Sequence, residues 1–456
     1  MLMYRRNILR PDECCLGVPL KYISNICCMN YQNTPEFAHQ MDEQDPLKNF
    51  RSKFLVPKHD GKDVIYFCGN SLGLQPVTAR DYIGQKFDNW KDLAIEGFFA
   101  GDAPWMGYHK KLTNTLAGIV GAKSEEVSVM NSLTVNLHLL LVSFYKPTQK
   151  RFKIIIEGGA FPSDQYALAS QVSFHGHDPK EAIIEIYPRQ GEDTLQTEDI
   201  IEIINNHKNE LALVLFGGIN YYTGQFFDME AITTATHAAG AFAGFDLAHA
   251  AGNVVLKLHD WDVDFACWCS YKYMNSGPGG ISGIFVNEKY FNDSSLHRFA
   301  GWWGHREDRR FLMPHDFEAD KGAAGWQVST SPVMLLALHK AALDIFEDAG
   351  GIEPLRKKSE ALTGYLEFII GEVNSAHGDE LFKIITPKDK LARGCQLSIV
   401  CKQNAKVTFN YLTDHGVIGD WREPNVIRIS PVPLYNTFTE VFEFGEILAG
   451  AVAKAS

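Results

Sequence analysis

Apolar residues in this chain fall into short runs separated at regular intervals. Runs of strand character stand at 64–67, 153–157, 183–187, 212–216, 242–245, 265–269 and 283–286. Most are separated by segments of helical or loop character, near 78–95, 109–121, 163–174, 197–208 and 228–239. Short apolar strands alternating with helices predict an α/β fold, a doubly wound and mainly parallel sheet with helices on both faces. Ligands of such sheets gather at the carboxyl ends of the strands. Beyond Pro332 the texture changes. Helical patterns cover 333–348, stopped by Gly350-Gly351, and 354–373, and short strands follow at 382–386, 395–401 and 426–429. The expected organisation is a large domain over 46–332 and a smaller α+β domain over 333–456. Residues 1–45 read as a poorly ordered N-terminal extension.

The 456-residue length suits two domains, and 45% hydrophobic with 21% charged residues is ordinary for a globular protein. With 43 basic against 55 acidic residues the net charge is −12, which argues against a nucleic-acid surface or an anionic-membrane partner. No apolar run approaches the length of a membrane-spanning helix. The nine cysteines are an odd number in a long chain and show no zinc-binding spacing, so they read as reduced intracellular thiols. Arg5, Arg6 and Arg10 hint at a mitochondrial presequence. Asp12 and Glu13 follow at once and serine is scarce, so a cytoplasmic location is the expectation.

Two strand ends carry the candidate chemistry. Asp246 closes the run 242–245, and Lys272 follows 265–269 and precedes Gly277-Pro278-Gly279-Gly280. A lone lysine after a strand is usually a solvated surface residue, and a lone aspartate there is usually a helix cap. Together they are the minimum set for pyridoxal phosphate (PLP): an amine to hold the aldehyde covalently, and a carboxylate to keep the pyridine nitrogen protonated. Ser132-Leu133-Thr134 leads into the apolar stretch 137–144 and is either a plain cap or a phosphate cup at a helix N-terminus. Phe161 is either core or a face for the cofactor ring. Tyr222, after the run 212–216, is a candidate proton donor. Arg428, on a strand of the small domain, is either a solvated edge residue or a bidentate partner for a carboxylate.

The segments 69–76, 133–138, 161–164, 244–249, 264–272, 301–305 and 431–436 together resemble kynureninase, a PLP hydrolase family of fold type I in tryptophan catabolism. The resemblance runs from about residue 46 to the C-terminus. It implies that Lys272 holds the cofactor, Asp246 pairs with its ring nitrogen, and Leu133, Thr134, Tyr271 and Trp302 surround its phosphate. Phe161, Pro162, Ser163 and Asp164 would contact the ring, with His249 beside it. Tyr222 would be the catalytic acid, and Arg428, with Ser71 and Phe98, would meet the substrate. The family acts as a homodimer, so Trp302 and Thr330 would reach the partner's cofactor. The implied reaction is L-kynurenine plus water giving anthranilate plus L-alanine, with 3-hydroxykynurenine as the alternative substrate.

Vertebrate members carry His where Phe98 stands and Asn where Thr330 stands, whereas bacterial members have an aromatic residue and Thr. An apolar pocket discriminates weakly against an added hydroxyl, so Phe98 and Thr330 imply a preference for L-kynurenine, or little preference. Gly217 stands where the family often has a serine contacting the cofactor. The rival readings are another fold-type-I enzyme, such as an aminotransferase or a cysteine desulfurase, and a catalytically inactive binding homologue. A desulfurase needs a cysteine on a mobile loop, and Cys395 falls on a predicted strand.

Overall fold

The computed structural model describes residues 30–455. Its centre is a seven-stranded sheet of β1 (Val127–Val129), β2 (Lys153–Glu157), β3 (Ile183–Ile186), β4 (Leu211–Gly217), β5 (Phe242–Asp246), β6 (Phe265–Trp268) and β7 (Gly283–Val286). The spatial order is β1-β7-β6-β5-β4-β2-β3, and only β7 runs against the others. Both faces are covered, as β4 illustrates. Leu213 and Leu215 belong to one apolar cluster, and Val214 and Phe216 to the other. β1, three residues long, is not among the strands expected from the sequence.

Register sets the strand ends level. Asp246 lies opposite Gly217 on β4 and Cys267 on β6. Close packing holds that register: the Phe265 ring lies across Gly244, where a Cβ would stand 2.1 Å from it. Phe265 in turn stacks on Phe144 of the helix Leu133–Phe144, with centroids 4.7 Å apart. This packing seats the helix on the sheet.

The C-terminal part contains the helices Val333–Asp348, Ile352–His377 and Phe438–Ala455 and an antiparallel sheet of β8 (Phe382–Ile384), β9 (Leu397–Cys401), β10 (Asp420–Arg422) and β11 (Val426–Ile429). The strand-like run at 64–67 joins this part and not the large sheet. Ile65–Tyr66 pairs in parallel with Val417–Ile418. Residues 33–456 form one compact unit.

The expectation of an unstructured extension over 1–45 needs correction at its C-terminal end. Pro35–Gln44 is a helix, entered through Thr34, whose hydroxyl accepts the Phe37 N–H. Tertiary partners explain it. Asp42 accepts the N–H groups of Phe438 (2.7 Å) and Thr439 (3.0 Å), so it caps the last helix of the chain. Asp45 forms a buried ion pair with Lys358 at 2.7 Å. Neither link is visible to local periodicity. Residues 1–29, with the presequence question and four of the cysteines, lie outside the described residues. The five described cysteines are free, and no described helix is long and apolar enough to cross a membrane.

The cap gives a direct test. Asp42→Ala removes acceptors for two helix N–H groups and should destabilise the protein by about 1–2 kcal/mol, measured by urea denaturation. An unchanged midpoint would show that the N-terminal helix is not anchored this way.

Candidate active site

The carboxyl ends of β2, β4 and β5 open into one pocket. It brings together Leu133, Thr134, Phe161, Ser163, Asp164, Gly217, Asp246, His249, Tyr271 and Lys272, ten of the residues expected from the sequence. Pro162 is the first residue of the helix Pro162–Phe174, and its fixed backbone sets Phe161 at the helix entrance and Ser163 and Asp164 in its first turn.

Asp246 is buried at the end of β5, and its Oδ1 accepts the Ala248 N–H at 2.7 Å. Burial raises its carboxyl pKa, opposed by that N–H and by Lys272. Asp164 is raised well above the carboxylate range by burial and then by the charges of Asp246 and Glu157. Like charges in a low-dielectric pocket cannot all ionise, so Asp164 is the protonated member of the pair. His249 is buried and neutral, its pKa depressed first by burial and then by Lys272 and two arginines. Its Nδ1 and the Oδ1 of Asp164 lack hydrogen-bond partners.

Lys272 is half-buried, with its Nζ 5.9 Å from the centre of the Phe161 ring. The turn 69–73 braces it from behind. The Gly73 N–H donates to the Tyr271 carbonyl at 2.8 Å, and a Cβ at Gly73 would lie 2.3 Å from the Lys272 carbonyl oxygen. Opposite, the Thr134 and Ser163 hydroxyls meet at 2.8 Å at the start of the helix Leu133–Phe144. Ser132 makes no side-chain cap there, so the first N–H groups of a 12-residue helix face the pocket without an intrahelical acceptor.

Tyr222 lies elsewhere than expected. It lines an adjacent cavity, and its neighbour Tyr221 lines the pocket. The Tyr221 ring packs edge-on against Phe161, centroids 5.3 Å apart, and lies 5.9 Å from the guanidinium groups of both Arg422 and Arg428. Arg428 is buried on β11, donates to the Tyr221 carbonyl at 2.5 Å, and pairs with Asp420. Asp420 also accepts from Ser71 at 2.7 Å and from Arg422 at 3.2 Å. Arg428 and Ser71 therefore form a polar cluster behind Tyr221.

Phe98, Trp302 and Thr330 do not line this pocket. Phe98 packs on Trp105 and adjoins Phe99, which touches Phe311, which in turn meets Trp302 edge-on. Thr330 is exposed. The sequence reading omitted Glu157, Tyr221, Asp420 and Arg422. Glu157 ends β2 as Asp246 ends β5, so the strand-end rule applied to Asp246 would also have found it.

In fold, the chain is similar to the cysteine desulfurase of Thermococcus onnurineus NA1, with a TM-score of 0.69 and 17% identity, covering 91% of this chain and 98% of that one. It is likewise similar to the cystine C-S lyase C-DES in complex with its product cysteine persulfide, with a TM-score of 0.71 and 14% identity, covering 85% and 97%. Fold and strand-end pocket together define the fold-type-I class of PLP-dependent enzymes. Within that class, the kynureninase C-terminal domain model matches residues 355–448. The kynureninase of Flavobacterium psychrophilum is 56% identical over 426 residues, 93% of this chain and 100% of that protein. Those of Myxococcus xanthus and Nematostella vectensis are 50% and 48% identical, covering 92% and 91% of this chain and 98% and 93% of theirs. The chain belongs to the kynureninase family.

The pocket fits the cofactor of that class. Open helix N–H groups and two hydroxyls suit a phosphate, the Phe161 ring suits an aromatic face, and the buried Asp246 carboxyl suits a protonated ring nitrogen. Lys272 supplies the amine.

Proposed function

We propose that this protein hydrolyses L-kynurenine to anthranilate and L-alanine with PLP held by Lys272. The observation that carries the reading is Tyr221, placed between the Phe161 ring on the cofactor side and the Arg422–Arg428 pair on the other. Bound PLP supplies an electron-accepting ring that stabilises negative charge left at the substrate Cα. The residues of the chain supply the rest. Asp246 would face the ring nitrogen, and Thr134, Ser163, Tyr271 and the helix N-terminus would hold the phosphate. Leu133, Pro162 and Asp164 shape the ring pocket, with Gly217 and His249 beside them. Arg428 orients the substrate α-carboxylate, with Ser71 and Asp420 fixing its guanidinium. Lys272 Nζ is the base for the Cα proton. Tyr221 is placed to give a proton to the carbon released when water has added to the aryl ketone; Tyr222 lines the adjacent cavity instead.

A desulfurase reading finds no nucleophile in Cys395. That thiol is fully buried against Ser430, 3.3 Å away, and burial pushes it up to about 11. Free thiols among the described residues support a reducing, cytoplasmic setting.

The homodimer reading draws on the surface around Trp302. Ile95, Phe99, Phe311, Leu312 and Met313 are each more than half exposed and Trp302 is 43% exposed. Edge contacts join Phe98, Phe99, Phe311 and Trp302 into a chain. Such an apolar surface is costly in water, and burying it against a second copy would carry Phe98, Trp302 and Thr330 towards that copy's pocket. A large domain over 46–332 and a small one over 333–456 remain part of this reading, supported by the separate seven- and four-stranded sheets, with Ile65–Tyr66 paired to Val417–Ile418.

Three tests follow from this reading. Anthranilate fluorescence should rise when the protein, PLP and L-kynurenine are mixed. Lys272→Ala should end that turnover, and Tyr221→Phe should slow it on the order of a hundredfold while Tyr222→Phe changes it little. Equal effects at the two tyrosines would remove the assignment. Sedimentation equilibrium should give twice the 51.1 kDa chain mass, and a monomer that turns over would exclude the shared site. The kcat/KM for L-kynurenine should equal or exceed that for 3-hydroxykynurenine, by about tenfold at most. A large preference for the hydroxylated substrate would show that Phe98 and Thr330 do not set specificity.

A further inference from the structure

Glu157 belongs to no role given so far, yet it forms part of the wall between the cofactor pocket and the adjacent cavity. It ends β2, is 4% exposed, and directs both carboxyl oxygens at the Gly217 N–H, at 3.0 and 3.2 Å. Gly217 lies opposite Asp246 in the sheet register, and the next N–H, that of Gly218, donates to the Asp246 carbonyl at 2.8 Å. One dipeptide thus links the Glu157 carboxyl to the backbone that carries Asp246.

The absence of a side chain at 217 is part of this arrangement. A Cβ there would stand 2.9 Å from Glu157 Oε1 and 3.2 Å from the Ile219 carbonyl oxygen. A side chain at 217 and the Glu157 carboxyl therefore compete for one space, and glycine leaves it to Glu157. The groups that bear on Glu157 are the Gly217 N–H from β4, Asp246 from β5 and Asp164 from the helix Pro162–Phe174, with Lys272 and Tyr221 on the same pocket wall. Among the described residues no ion pair to Glu157 is present.

We propose that Glu157 is a positioning residue for the cofactor: anchored on Gly217, its carboxyl group sets the alignment of Asp246 and the charge behind the ring nitrogen. This rests on PLP being the cofactor. Burial, opposed by the Gly217 N–H and reinforced by the charge of Asp246, raises the Glu157 pKa to about 7. Below that pH Glu157 is a neutral acid and leaves the ring nitrogen to Asp246 alone. Above it a second negative charge stands behind Asp246 and favours a cationic ring nitrogen.

The test is the PLP dissociation constant of the apoprotein, read by tryptophan fluorescence at pH 6 and pH 8, for wild type and Glu157→Gln. Gln keeps an acceptor for the Gly217 N–H and cannot ionise. The two proteins should bind alike at pH 6, and wild type should bind up to about tenfold more tightly at pH 8, the effect of one unit of pKa coupling. Any pH dependence common to both proteins cancels in the ratio. A ratio that does not change with pH overturns the charge role. Gly217→Ala keeps the charge and crowds the carboxyl, so it should weaken binding at both pH values. Unchanged binding there overturns the positioning role, including where Glu157→Gln does not fold. If wild type turns over kynurenine with PLP but these ratios stay flat, only the Glu157 inference fails. If wild type binds no PLP, the cofactor reading fails and takes this inference with it.

Discussion

The structure depends on a charge problem at the end of its parallel sheet. Glu157, Asp164 and Asp246 are all buried and line one pocket, and Lys272 is the cation at its wall. Three buried carboxylates against one amine would cost several kcal/mol of desolvation without compensation. Protons meet the excess in the protein alone, and this is why both aspartates and Glu157 hold theirs to higher pH than usual. A ligand with a cationic ring nitrogen meets the same need more fully. The level strand ends of β2 and β5 and the first turn of the helix Pro162–Phe174 bring the carboxyl groups together.

The second constraint is the seam between the two parts of the chain. Tyr221, on the loop after β4, receives Arg428 from β11 on its carbonyl, while Ser71, from the turn that braces Lys272, reaches Asp420 on β10. The pocket wall at Lys272 and Tyr221 and the Arg428–Asp420 cluster are thus fixed to one another through backbone and buried polar contacts.

Much of this was legible in the sequence, for identifiable reasons. The strands of the large sheet are continuous apolar runs because both faces are buried, and Asp246 and Lys272 break those runs at their ends. Asp42 and the helix Pro35–Gln44 were not legible, because their stabilising partners lie nearly 400 positions away in the chain. Tyr221 and Tyr222 are adjacent on a loop, where no periodicity states which ring faces the pocket. Glu157 ends its strand as Asp246 does, and its burial against Gly217 is a tertiary fact that the strand pattern does not carry. Phe98 and Trp302 belong to an aromatic patch away from the pocket, and Thr330 is exposed, placements that no local pattern in the sequence states.

We expect the amine of Lys272 and the carboxyl of Asp246 to hold one PLP between them. Borohydride reduction of the PLP-loaded protein, followed by proteolysis and mass mapping, tests it most directly. One pyridoxyl group is expected on the peptide carrying Lys272, with most of that label lost in Asp246→Ala at limiting cofactor. Label on another lysine, or full labelling of Lys272 without the Asp246 carboxyl, would contradict it.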